Sequence, residues 1–309
     1  MTATVFIDGA EGTTGLEIRE RLAGRSDIAL IQLDDAKRKD VDSRRQALND
    51  ADFVILCLPD DAAREAVALI DNDRTRVIDA STAHRIGDGW TYGFAELEPG
   101  QMAAIAEAKR VSNPGCYPTG FLALVRPLVR AGLVPVDWPL TVNAVSGYSG
   151  GGKAMIADYQ DAATPPAARA YGLGLAHKHV AEMQKHARIE HAPIFAPAVV
   201  NTYRGMIVEV PLPLHMFSRR PSLHVCEAVL GEAYRDFALI RLGEGDAATV
   251  SIADDAGSDR LTIRVCGNAD TGQARLIATL DNLGKGAAGA AVQNLNIMAG
   301  FDPVAGLTL

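Results

Sequence analysis

The sequence predicts an α/β protein in two parts, a doubly wound parallel sheet followed by an α+β domain with a mainly antiparallel sheet. Three observations carry this. Short apolar runs alternate with longer amphipathic stretches through the first third of the chain. A turn with glycine at every third position follows the first of those runs, and strand-like runs dominate beyond about residue 139.

The elements follow in order. Thr4-Val5-Phe6-Ile7 reads as a buried strand and Leu16 to Leu22 as the helix after it. Ile28 to Leu33 is a second strand, and Phe53 to Leu58 a third whose unbroken apolar character suits a strand covered on both faces. A helix from Ala62 to Ile70 leads to a strand from Val77 to Asp79. Strand–helix–strand repetition of this kind implies parallel pairing through right-handed crossovers. Later strands are expected at Leu140–Val145, Ile194–Val200, Met206–Val210, Leu261–Cys266 and Arg275–Leu280, the last two joined as an antiparallel hairpin by the turn-rich 267–272. Residues 150 to 175, rich in Gly, Ala and Pro, read as a long loop or arm, and Lys285 to Ala299 as a closing helix.

Bulk properties narrow the function classes. With 309 residues the chain can bury a substantial core. A net charge of −8 argues against nucleic acid, because phosphate neutralisation needs clustered cations. No apolar run approaches the length of a membrane span, and no basic-then-apolar leader opens the chain, so a cytoplasmic protein is expected. Cys57, Cys116, Cys226 and Cys266 are too scattered for a zinc site; each is a buried small hydrophobe or a catalytic thiol. No metal is expected.

Gly9-Ala10-Glu11-Gly12-Thr13-Thr14-Gly15 joins the first strand to a helix. Glycines there permit a tight turn and close backbone approach, while the helix N-terminus offers N–H groups to a pyrophosphate. The first domain therefore reads as Rossmann-type, with Gly9, Gly12, Thr13, Thr14 and Gly15 on the dinucleotide. Asp34 and Asp35 could hold the ribose 2′-hydroxyl of NAD, but Lys37-Arg38-Lys39 follow at once. Those cations suit a 2′-phosphate, which points to NADP with Arg38 on it.

Ser112-Asn113-Pro114-Gly115-Cys116-Tyr117-Pro118-Thr119 runs into an apolar stripe at Phe121, Leu124, Val125 and Leu128. Cys116 thus precedes a helix, whose positive end favours a thiolate able to attack acyl carbon. Pro127 inside that helix predicts a kink or early break. Cys57, Cys226 and Cys266 are expected in the core. A base for Cys116 is sought in Ala176-His177-Lys178-His179-Val180-Ala181-Glu182-Met183. His179, Glu182 and His186 share one helical face, and Val180, Met183 and Ala187 another. Arg204, at a turn after a strand, can reach a carboxylate or phosphate with its planar fork. Gly147 to Lys153 matches the spacing of a phosphate-binding loop, but Ala154 stands where such a loop needs Ser or Thr, and no helix is expected after it.

Taken together, Gly9–Gly15, Ser112–Thr119, His177–Met183, Tyr203-Arg204-Gly205 and Asp281 to Ala288 resemble the N-acetyl-γ-glutamyl-phosphate reductases, in their shorter form, over essentially the whole chain. The related aspartate-semialdehyde dehydrogenases share the fold but set their cysteine differently. The resemblance implies an NADP-binding domain at 1–115, completed by the C-terminal helix 284–309, and a catalytic, substrate and oligomerisation domain at 116–283. It implies Cys116 as nucleophile and His179 as acid/base, with His177, Asn113 and Arg204 on the substrate. Ser81 and Gly286 join the cofactor side. The implied reaction is NADPH-dependent reduction of an acyl phosphate to an aldehyde through a thioester, by a homodimer or homotetramer. An aspartate-semialdehyde dehydrogenase-like enzyme and a non-catalytic NADP-binding regulator are the alternatives.

Overall fold

The computed structural model describes residues 2–34 and 36–309; Asp35, one of the two acids weighed for the ribose, lies outside them. The chain divides into two compact units, one of residues 1–95, 99–114 and 287–307, the other of 96–98, 115–286 and 308–309.

The first unit is a six-stranded parallel sheet in the order β2-β1-β3-β4-β6-β5. Its strands are β1 (Ala3–Asp8), β2 (Ile28–Ile31), β3 (Phe53–Leu56), β4 (Arg76–Asp79), β5 (Thr91–Tyr92) and β6 (Arg110–Ser112). Helices α1 (Thr13–Leu22), α2 (Val41–Asp50), α3 (Asp60–Ala68) and α4 (Gln101–Glu107) make the crossovers. All four residues of β3 are buried, as its continuous apolar run requires. One face packs Val5, Ile18, Ile55 and Ile78 against Ala291, Val292, Leu295 and Met298 of α9 (Gly289–Ala299), so the C-terminal helix belongs to this core. The strand order reverses between β1 and β3, which opens a crevice at their C-terminal ends.

The second unit is built on a mixed seven-stranded sheet, β11-β12-β13-β10-β7-β9-β8. These strands are β7 (Thr141–Gly147), β8 (Ala168–Ala170), β9 (Ile194–Val200), β10 (Met206–Leu212), β11 (Ile240–Leu242), β12 (Leu261–Asn268) and β13 (Gln273–Leu280). The β12–β13 hairpin is antiparallel in the expected register region, while β7–β9 and β11–β12 are parallel. Helix α5 (Cys116–Arg130) lies on β10 and β13, flanked by α7 (His179–Ala187) and α8 (Leu223–Tyr234). Alternate burial along β10 shows one face of the sheet turned to that layer.

Two expectations fail here for identifiable reasons. Pro127 does not break α5, which continues to Arg130. The carbonyl that Pro127 cannot serve is that of Ala123, and it accepts a hydrogen bond of 2.9 Å from the Tyr234 hydroxyl. A helix, α6 (Gly152–Gln160), does follow the glycine-rich run. Its Lys-Ala-Met-Ile-Ala segment forms helix readily, and Pro165-Pro166 fall beyond its end.

Candidate active site

In the first unit the glycine turn leaves β1 at the crevice. Gly9 has φ +87°, and a Cβ there would stand 2.3 Å from the Cys57 carbonyl oxygen. A Cβ on Gly15 would stand 2.4 Å from the Gly9 carbonyl oxygen, so neither position admits a side chain. Gly12 caps α1 and donates its N–H to Gly9 O at 3.0 Å. Thr13 and Thr14 open the helix with no acidic residue in its first turn, which leaves its positive end open to an anion. Beside the turn lies a cavity of about 590 Å³, with Leu30, Leu33, Leu58 and Ala62 on its apolar wall and Arg19, Arg38, Lys39 and Arg44 among its cations. A cradle that a Cβ would fill, next to an apolar slot and a cationic rim, fits a dinucleotide. NADP is the group whose extra phosphate such a rim suits.

Also in this unit, the carboxylate of Asp79, wholly buried at the end of β4, accepts from Ser81 N–H at 2.9 Å and from Ser81 Oγ at 2.7 Å. His84 Nδ1 lies 2.6 Å from the same carboxylate, with its ring stacked on Trp90. Asn113 is fully enclosed: its Nδ2 donates to Ala287 O, its Oδ1 accepts from Asn294, and its carbonyl accepts from Arg85. Burial, reinforced by the negative charges of Asp79 and Asp8, pushes the Cys57 thiol up to about 12. Cys57 as a residue is only partly buried, and so is Cys266; of the three expected in the core, Cys226 alone is fully enclosed. Cys57 closes the end of β3 and Cys266 sits on β12 at the outer part of the sheet, where the pleat leaves one edge open.

The second unit assembles the chemistry around the start of α5. Cys116 is the first residue of that helix, Gly115 its cap, and Thr119 fastens the turn by donating Oγ1 and N–H to the Gly115 carbonyl. The Gly115 N–H donates to Glu182 Oε1 at 2.8 Å. Glu182 comes from α7, whose first residue is His179, and both are buried. Sequence spacing sets His179, Glu182 and His186 on one face of the helix and Val180, Met183 and Ala187 on another. The structure buries His179, Glu182, Met183 and Ala187 together instead, because the polar stripe faces the cysteine turn rather than water. His177 precedes the helix and accepts the His179 N–H on its Nδ1 at 3.2 Å.

Tyr117 ties these groups together. Its ring lies 5.9 Å from that of His179 and 6.4 Å from that of His177, and the two imidazoles are 4.7 Å apart. Its hydroxyl accepts from the Tyr171 hydroxyl at 2.9 Å. Burial drives the Tyr117 phenol far above its usual range. Tyr171 is pushed up to about 12 by burial, with the charge of Cys116 adding to it. Both therefore stay as neutral hydroxyls beside the sulfur. Neither tyrosine was singled out from the sequence, since Tyr171 lies in an irregular Gly/Ala/Pro-rich stretch with no periodicity to give it a direction.

On the other side of the cysteine, Gly286 comes so close that a Cβ would stand 2.8 Å from Cys116 Cβ. Gly286 sits in a π-type turn, Gly284–Ala288. Asp281, wholly buried, accepts from the N–H groups of Leu283 and Gly284 and from Arg204 at 3.4 Å. Lys285 is buried in the same turn and spans Glu96 Oε1 and Oε2 at 2.8 and 2.9 Å. Cys116, His177, His179 and Arg204, with Gly286, are thus gathered in this unit, whereas Asn113, Ser81, Arg38 and the glycine turn belong to the first. No described helix is long and apolar enough to cross a membrane.

Comparison with known proteins bears on these features. Residues 4–105 match the family model described as semialdehyde dehydrogenase, NAD binding domain, and residues 116–282 the one described as semialdehyde dehydrogenase, dimerisation domain. The chain is 51% identical to N-acetyl-gamma-glutamyl-phosphate reductases of Brucella ovis and Brucella canis, covering 97% of this chain and 100% of each relative. Among solved structures it is similar to aspartate semialdehyde dehydrogenase II of Vibrio cholerae, complexed with ASA, at TM-score 0.71 and 17% identity over 97% of this chain and 98% of that one. A second is aspartate semialdehyde dehydrogenase with NADP from Candida albicans, at TM-score 0.70 and 16% identity over 97% and 99%.

Proposed function

The chain belongs to the N-acetyl-gamma-glutamyl-phosphate reductase family, and from that premise we propose that it reduces N-acetyl-L-glutamyl 5-phosphate to N-acetyl-L-glutamate 5-semialdehyde through a thioester on Cys116. The observation that carries the mechanism is the placing of Cys116 at the first position of α5, on a turn whose N–H is held by the helix that brings His179.

The Cys116 thiolate attacks the 5-carbonyl carbon; as the C–S bond forms, the C–O bond to phosphate breaks and phosphate leaves with its electron pair. NADPH, held at the glycine turn, would supply the hydride that reduces the thioester. His179 gives a proton to the oxygen as it gains charge, and recovers that proton as the C–S bond breaks to release aldehyde and thiolate. The Tyr117 and Tyr171 hydroxyls keep a polar wall beside the sulfur without contributing charge. Arg204, steadied by Asp281, and His177 take the carboxylate and phosphate side of the substrate, while Asn113, enclosed by its own hydrogen bonds, shapes the turn before the cysteine. Gly9, Gly12, Thr13, Thr14 and Gly15 would hold the dinucleotide together with Arg38, and Ser81 and Gly286 are the further residues assigned to the cofactor in this reading. In this reading 1–115 with 284–309 form the NADP-binding domain and 116–283 the catalytic one. The enzyme works in the cytoplasm as a homodimer or homotetramer built on its dimerisation domain.

Cys116→Ala should abolish turnover and the release of phosphate while leaving NADPH affinity, read by nucleotide fluorescence, unchanged. Retained turnover in that variant rules out the covalent route. The reverse assay follows NADPH formation in phosphate, and N-acetylglutamate semialdehyde should be the preferred substrate. Preference for aspartate semialdehyde moves the activity to the sister enzymes, and no activity with either leaves a nucleotide-binding regulator.

A further inference from the structure

The glycine turn carries one charge that a pyrophosphate site does not call for. Glu11 stands inside the turn, and its Oε1 is shared by two guanidinium groups, Arg38 at 2.9 Å and Arg19 at 3.1 Å. A single carboxylate oxygen bridging two arginines reproduces the way a phosphate oxygen is held. The other arginine on this rim is fixed differently: Arg44 is 2.7 Å from Asp8, and both are largely shielded from solvent. Asp8 sits at the buried end of β1 and has no freedom to move away, whereas Glu11 is half exposed and flanked by glycine. Asp34 is committed to its own turn, its carboxylate accepting the Lys37 N–H and its backbone carbonyl the N–H groups of Lys37 and Arg38.

Resting on the NADPH reading above, we propose that Glu11 is an internal stand-in for the ribose 2′-phosphate, holding Arg19 and Arg38 together until that phosphate displaces it. Three things follow from the geometry. The pair of arginines is assembled before the cofactor arrives, which lowers the ordering cost of binding. The 2′-phosphate must break the Glu11 contacts and sit beside a carboxylate, so Glu11 lowers affinity for the phosphorylated nucleotide in particular. A nucleotide with a plain 2′-hydroxyl brings no anion to compete and leaves Glu11 where it is. Glu11 is then the residue that moderates NADP(H) affinity, and Arg38 with Arg19 the pair that confers it.

The test uses the full-length chain and two probes that need no chemistry, 2′,5′-ADP and 5′-AMP, titrated by calorimetry. Wild type should bind 2′,5′-ADP in preference to 5′-AMP. Glu11→Gln should tighten 2′,5′-ADP by about three- to five-fold, the most that a half-exposed ion pair is worth, and leave 5′-AMP unmoved. Arg38→Gln should weaken 2′,5′-ADP at least about tenfold, again with 5′-AMP unmoved, as expected for loss of a charge-assisted contact. If Glu11→Gln leaves 2′,5′-ADP unchanged, weakens it, or shifts both probes alike, the stand-in role is wrong while the cofactor reading stands. If wild type prefers 5′-AMP and Glu11→Gln weakens it, Glu11 holds the ribose hydroxyls, and the NADPH reading falls with the proposal.

Discussion

Replacing Lys285 by methionine should be among the most destabilising single changes available in the second unit. Lys285 is 1% exposed and Glu96 3%, and the ammonium chelates both carboxylate oxygens at 2.8 and 2.9 Å. Removing one member deprives the other buried charge of its ion-pair partner, which costs about 3–5 kcal/mol. For a body of this size that lowers the melting temperature by about 6–20 °C. Glu96→Gln should do the same from the other side. The pair Lys285→Met with Glu96→Leu removes both charges, and its stability should return to within about 1 kcal/mol of wild type. Activity should not return with it. The ion pair pins the Gly284–Ala288 turn, and Gly286 in that turn abuts Cys116, so the double variant should turn over about tenfold to a hundredfold more slowly, as for an ångström-scale misplacement. Urea unfolding followed by tryptophan fluorescence gives the first quantity and steady-state NADPH oxidation the second. Single variants as stable as wild type, or a double variant with full activity, would refute the reasoning.

Three further outcomes can be checked. Gly9→Ala forces a Cβ to within 2.3 Å of a backbone oxygen at φ +87°, so NADPH affinity should fall by more than about tenfold with the circular dichroism spectrum retained; unchanged affinity counts against the turn as the cradle. Tyr234→Phe leaves the Ala123 carbonyl without the donor that replaces the missing Pro127 N–H, and should cost about 1–3 kcal/mol in urea with kcat unaffected; a neutral result means the hydroxyl is not what preserves the helix. Burial holds the Cys57 and Cys226 thiols up at about 12 and about 11, and a raised acid constant keeps the proton on. At pH 8 roughly 10⁻⁴ and 10⁻³ of them are thiolate, so iodoacetamide should spare both in Cys116→Ser and reach them only as pH rises toward 11. Labelling of Cys57 at pH 8, mapped by mass spectrometry, contradicts this.

The parts legible in the sequence are those with local periodicity or local chemistry. The apolar run 53–58 could be placed in a doubly covered strand because burial on both faces leaves no polar alternation, and the glycine spacing of 9–15 because a turn needs φ and space at fixed offsets. Cys116 could be set at a helix start from Pro118 and the stripe after it. What stayed hidden depends on partners far along the chain. Lys285 looks like a solvated lysine until Glu96, 189 residues away, is beside it. Tyr234 explains the survival of a helix more than a hundred residues earlier. The burial of His179 and Glu182 on α7 is not legible from spacing, because hydropathy cannot tell a face turned to water from a face turned to a backbone N–H. Helix α6 forms despite Pro165-Pro166, because prolines beyond a helix end do not prevent the turns before them.

These hidden contacts share a location. Glu182 fixes the N–H before Cys116, Asp281 fixes the turn after β13 and steadies Arg204, and Lys285 with Glu96 fixes the same turn where Gly286 abuts the cysteine. Apolar packing would fill this volume at less cost, since each buried charge is expensive and a hydrophobic replacement is often neutral or stabilising. Apolar contacts, however, carry no direction and tolerate slippage of a methyl group, whereas a carboxylate that accepts named N–H groups admits one arrangement. A sulfur that must meet an acyl carbon and then present a thioester to hydride has little tolerance for slippage. Buried ionic contacts on the segments that border Cys116 therefore suit its proposed role as a nucleophile held in place, a constraint that apolar packing would not supply.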